Sequence, residues 1–121
     1  SLIEQGADVV TSTGNENVVG TIQAAQRAGV KAIGTAFDSH ALAPETIVTT
    51  ALINMDVNID LAVGRLVDGS LAPETYVLGL EENGIGLAPF RDFEDAIPAE
   101  DMARIDALVE DIRAGRIDDL P

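Results

Sequence analysis

With 121 residues, 46% hydrophobic and 23% charged, the chain has the length of one ordinary globular domain, and its apolar fraction excludes disorder. Seven Lys and Arg against 21 Asp and Glu give a formal charge of -14, which opposes a nucleic-acid partner, because a phosphate backbone is held by basic side chains. The absence of Cys removes disulfides and thiolate chemistry, and His40 alone cannot build a His-ligated metal site.

In chain order, Ser1-Leu2-Ile3-Glu4-Gln5-Gly6 reads as the last turn of a helix closed by a glycine. Asp8 to Thr13 reads as a short buried strand and Gly14-Asn15 as a turn. A helix is predicted over Glu16 to Ala28, with Val18, Val19, Ile22 and Ala25 on one face and Gly29 as its stop. Lys31 to Ala36 is the next buried strand, so strand, helix and strand form a parallel crossover unit. After the loop from Phe37 to Pro44, Thr46 to Leu52 is a β-branched strand.

A second helix is capped around Asp56, turns Ile59, Ala62, Val63, Leu66 and Val67 inward, and ends at Asp68-Gly69. Thr75 to Leu80 reads as a strand before the Glu82-Asn83-Gly84 turn, and Ile85 to Pro89 extends or pairs with it. Pro98 opens a last helix with Met102, Ile105, Leu108, Val109 and Ile112 on one side and Gly115 at its end. The fold class is α/β, a three-layer arrangement on a mostly parallel sheet. No stretch of about 18 apolar residues suited to spanning a bilayer occurs.

Several short motifs invite chemistry and are outweighed by plainer readings. Asp38, Ser39 and His40 have the residue types of a hydrolytic triad, but side chains one or two positions apart do not converge into that geometry. Glu81-Glu82 and Asp118-Asp119 lack the spacing of a Ca²⁺ loop and read as solvated surface. Gly84-Ile85-Gly86 follows a turn and precedes no helix, unlike a dinucleotide fingerprint. No catalytic residue, metal or cofactor is expected.

A larger pattern is carried by Gln5-Gly6-Ala7-Asp8-Val9-Val10, by Ala24-Ala25 leading to Gly29-Val30-Lys31-Ala32-Ile33-Gly34, and by Leu42-Ala43-Pro44. It continues through Ile47-Val48-Thr49-Thr50, Asp56-Val57, Leu78-Gly79-Leu80, Asn83-Gly84-Ile85-Gly86-Leu87 and Ile112-Arg113-Ala114-Gly115-Arg116-Ile117. In this order the stretches resemble the carboxyl-terminal part of the basic membrane protein family, the substrate-binding lipoproteins of ABC transporters. The resemblance implies a partial type I periplasmic-binding-protein fold: residues 1–45 in the second lobe, 46–121 as crossing segments and terminal helices, and an amino-terminal lobe lying upstream. It also implies a nucleoside or similar small polar metabolite as ligand, an ABC permease as partner, and a place in the cell envelope outside the cytoplasm. A ligand-sensing domain of a transcription regulator is the alternative on the same fold.

Ligands of such folds sit at the carboxyl ends of parallel strands. Thr13, Gly14 and Asn15 follow the first strand and can hydrogen-bond a ligand; Asn15 equally fits a helix cap. Phe37 can stack on a nucleobase or serve in packing. Asp38 can accept two sugar hydroxyls or begin a turn. The family pattern is Gly-x-Asp-x-Asp, whereas Gly34-Thr35-Ala36-Phe37-Asp38 puts Ala36 at the first carboxylate. Thr50, with Thr49, matches the family's crossing strand, where a Lys of the family pattern is replaced by Ile53-Asn54.

Overall fold

The computed structural model describes residues 1–117, so Asp118 and Asp119 lie outside the described residues. Its elements run β1 (Val9–Thr11), α1 (Asn15–Ala28), β2 (Lys31–Ala36), a 3-10 turn (His40–Leu42) and β3 (Ile47–Ile53). They continue with α2 (Met55–Asp68), β4 (Ile85–Leu87), a second 3-10 segment (Arg91–Ala96) and α3 (Ala99–Arg113). The strands form one sheet in the order β1-β2-β3-β4, with β1 parallel to β2 and β2 parallel to β3. The expected α/β class with a mostly parallel sheet is therefore correct. None of the described helices is long and apolar enough to cross a membrane.

The described residues divide into two compact units, Ser1–Ile53 with Leu87–Ile97, and Asn54–Gly86 with 98–117. In the first unit, α1 lies on the sheet and buries Val18, Ile22 and Ala25 against Val10, Ala32, Ala43 and Ile47. The helical spacing of the first three, the strand positions of Val10, Ala32 and Ile47, and Ala43 from the loop before β3 place one apolar layer between helix and sheet. Val19, expected on that face, is 41% exposed, because it sits one residue round the helix from Val18. Gly29 ends α1 in the left-handed conformation, and its N–H reaches the Gln26 carbonyl.

The amino end consists of hydrogen-bonded turns that close as the tail of a helix does: Gln5 N bonds to Ser1 O at 3.3 Å, Gly6 N to Ile3 O at 3.0 Å and Ala7 N to Leu2 O at 3.1 Å, with Gly6 at φ of 93°. Two expectations need correction. Residues 75–80 form no strand. The segment folds back on residues close in sequence: Tyr76 Oη accepts from Ala72 N at 2.9 Å, Gly79 N donates to Glu82 Oε2 at 2.8 Å, and Gly84 N returns to Gly79 O at 2.9 Å.

The second correction concerns α2, which starts at Met55 after Asn54 and buries none of its residues. Ile59, Val63, Leu66 and Val67, read as an inward stripe, are all more than half exposed. The periodicity is real but has no cover in the described structure. By contrast Met102, Ile105, Val109 and Ile112 of α3 are each partly buried, and Leu108 is exposed.

Candidate functional site

Parallel pairing brings the carboxyl ends of β1 and β2 to the same side of the first unit. Thr35 Oγ1 donates to Ser12 O at 2.8 Å and ties the segment after β1 to the last residues of β2. Beyond Ser12, Thr13 and Gly14 are exposed. Gly14 precedes α1 with φ of 93°, a left-handed value that favours a residue without Cβ. Val18 N donates to Gly14 O at 3.1 Å, so α1 begins at Asn15 and the expected cap position belongs to Gly14 instead. The first-turn N–H groups of α1 have no intrahelical partner and carry partial positive charge. Ser12 Oγ is buried without a hydrogen-bond partner.

At the end of β2 the chain turns sharply. Ala36 has φ of 74°, uncommon for a residue with a Cβ, and Phe37 follows with its N–H bonded to Thr35 O at 3.1 Å. Phe37 is 52% exposed, so it is a surface aromatic and not part of the core cluster. Directly behind this turn, Ser39 and Thr50 are fully buried and their hydroxyls lie 3.3 Å apart. They close over Gly34, where an added Cβ would meet Ser39 Oγ at 2.3 Å and Thr50 Oγ1 at 2.6 Å. Thr50 thus turns its hydroxyl inward, and Thr49 Oγ1 donates to Ala88 O at 2.7 Å.

Asp38 is engaged by the segment that follows β4. Arg91 forms a two-point ion pair with it, Nη1 donating to Oδ1 at 3.2 Å and Nη2 to Oδ2. The Asp38 Oδ1 also accepts the His40 N–H at 3.2 Å. Arg91 first, then this backbone bond, hold the Asp38 carboxyl below the usual carboxylate range. The same pair raises the pKa of Arg91. His40 Nε2 lies 3.4 Å from Asp92 Oδ2. Asp38, Ser39 and His40 therefore each face a different partner, and no triad relay is assembled.

The sequence placed Thr13, Gly14, Asn15, Phe37 and Asp38 at two neighbouring strand ends, and the structure brings those ends together. Thr50 sits behind them in the sheet. Ser12 and Arg91 were missed. Ser12 adjoins a candidate and was within reach of the strand-end argument; Arg91 is 53 residues from Asp38, with no local signal joining them.

The family model described as ABC transporter substrate-binding protein PnrA-like (Bmp) matches residues 1–118. The chain belongs to this Bmp family. The resemblance to basic membrane proteins is thereby correct. A purine-binding protein of Brucella abortus is 28% identical over 97 residues, covering 80% of this chain and 27% of that protein.

Among solved structures, an ABC transporter solute-binding protein from Conexibacter woesei is 29% identical with a TM-score of 0.67, covering 99% of this chain and 39% of its own. One from Aeropyrum pernix has a TM-score of 0.85 at 20% identity over 96% of this chain and 41% of its own. A transcriptional activator of the comK gene from Bacillus halodurans has 0.80 at 23%, covering 91% and 38%. The last two share the fold alone at those identities. The Bmp chain spans well under half the length of each of these relatives.

Proposed function

We propose that this chain is the carboxyl-terminal part of a two-lobed solute-binding protein that captures a purine-containing metabolite for an ABC importer. The observation that carries the ligand class is Phe37. It is a half-exposed aromatic side chain at the carboxyl end of a parallel strand, in a chain with three Phe and one Tyr. An exposed aromatic face binds a flat heteroaromatic ring by stacking, and the Brucella abortus relative is described as purine-binding. Thr13, Gly14 and Asn15 would supply polar contacts from across the same end, with Thr50 buttressing the floor from behind.

The mechanism would be closure: a ligand that touches both lobes only when they meet shifts the population toward the closed form, which then docks on the permease. That role places the protein outside the cytoplasm. The transcriptional activator of similar shape shows that the fold alone does not fix a role, and the family match is what favours transport.

Calorimetry of the two-lobed protein against adenine, hypoxanthine, adenosine and guanosine tests the reading. Binding to at least one is expected, and Phe37→Ala should weaken it by about 1–3 kcal/mol, the range for removing one base-stacking aromatic. Silence across the panel, or an unchanged affinity in Phe37→Ala, would overturn it.

A further inference from the structure

We propose that Asp38 and Arg91 form a clasp that fixes the Phe37 turn, which makes both of them positioning residues and removes Asp38 from the set of ligand-contacting groups. The clasp concerns the first unit alone; its consequence for ligand binding rests on the purine reading above.

Four observations converge on it. Both carboxylate oxygens of Asp38 are taken by the Arg91 guanidinium, a planar two-point match that specifies direction as well as charge. The neighbouring residues repeat the connection, with His40 facing Asp92 at 3.4 Å, so two successive contacts join the two segments. Arg91 itself has φ of 46° and Ala36 has φ of 74°, leaving a left-handed residue with a Cβ on each side of the clasp. Such conformations persist where surrounding contacts over-determine them. Finally, Ser39 is buried against Thr50, so the turn is pinned immediately after Asp38 and Phe37 is the side chain left projecting to solvent.

A carboxylate held this way is a poor acceptor for a sugar diol: three of its about four acceptor sites are filled by Arg91 and the His40 N–H, so taking both hydroxyls of a diol would displace at least one of these bonds. With Ala36 standing where the family pattern has its first carboxylate, the end of β2 offers an aromatic face and no free acid. Recognition there is by ring stacking, and is indifferent to a ribose.

Hydrogen exchange on the 121-residue chain tests the clasp without any ligand. Arg91→Gln should speed exchange of amides 37–42 and 90–93 by about two- to fivefold, the scale of a well-formed surface ion pair. The charge exchange Asp38→Arg with Arg91→Asp should recover much of the protection. No change in Arg91→Gln, or no recovery in the exchanged pair, would overturn the clasp.

In the two-lobed protein, titration of Asp38→Asn with adenine and with adenosine separates positioning from contact. Equal losses of about two- to fivefold for both probes are expected. A loss confined to adenosine would make Asp38 a diol ligand and overturn the proposal. Should the exchange result hold while neither probe binds the parent protein, the clasp stands and the purine reading falls.

Discussion

Gly34 has a Cα hydrogen where every other residue would place a carbon within 2.3 Å of a buried hydroxyl. Gly34→Ala must push Ser39 or Thr50, both buried, out of their 3.3 Å contact, and should lower stability by about 1–3 kcal/mol in urea titration. Ala36 runs the other way. Its left-handed backbone is costly with a Cβ, so Ala36→Gly should raise stability by up to about 1 kcal/mol, the unfolded-state entropy of glycine offsetting part of the relief. Asp38 adds a pH signature. Its folded pKa lies below the ordinary value, so its contribution is complete above the unfolded carboxylate range near about 4 and fades as pH falls through the lower folded value. The stability gap between the parent and Asp38→Asn is therefore expected to be constant near neutrality and to close in acid, measured by denaturation at a series of pH values.

At the level of elements, α1 and α2, of 14 residues each, make opposite forecasts. Ile22 on α1 is 4% exposed within the core, and Ile22→Ala should cost about 2–5 kcal/mol. Val67 on α2 is 81% exposed, and Val67→Ala should change stability by less than about 0.5 kcal/mol in the same assay. Sequence periodicity alone ranked the two alike. It located β2 from Lys31 to Ala36 and the glycine stop of α1 correctly, because a buried strand and a left-handed cap each leave local chemical marks. It failed over residues 75–80, where β-branched and aromatic composition met no neighbouring strand and Tyr76 and Gly79 bonded to residues close by in the chain. The candidate site divided in the same manner. Phe37, Thr13 and Gly14 follow from where strands end, whereas the partner of Asp38 comes from a segment whose approach depends on tertiary structure.

For the whole molecule, the acid excess dominates. With 21 acids and seven basic side chains, like-charge repulsion acts against the compact state, so raising salt from about 0.01 M to 0.15 M, which shortens the Debye length from about 30 to 8 Å, should raise the thermal midpoint. The opposite sign would mean that the described ion pairs outweigh the repulsion. The charge distribution also leaves one scarce group in a telling place. Lys31 is the single lysine; its Nζ donates to Glu45 O at 2.8 Å and lies 4.8 Å from the centre of the Phe93 ring. Phe93 is two residues beyond Arg91. Acylating reagents therefore meet one ε-amine in the whole chain, and modifying it deletes the cation that faces the ring. With the α-amine blocked, acylation of Lys31 thus addresses the tether at the opposite end of β2 from Phe37, and a fluorophore attached there would report on the Arg91 segment without a cysteine having to be introduced.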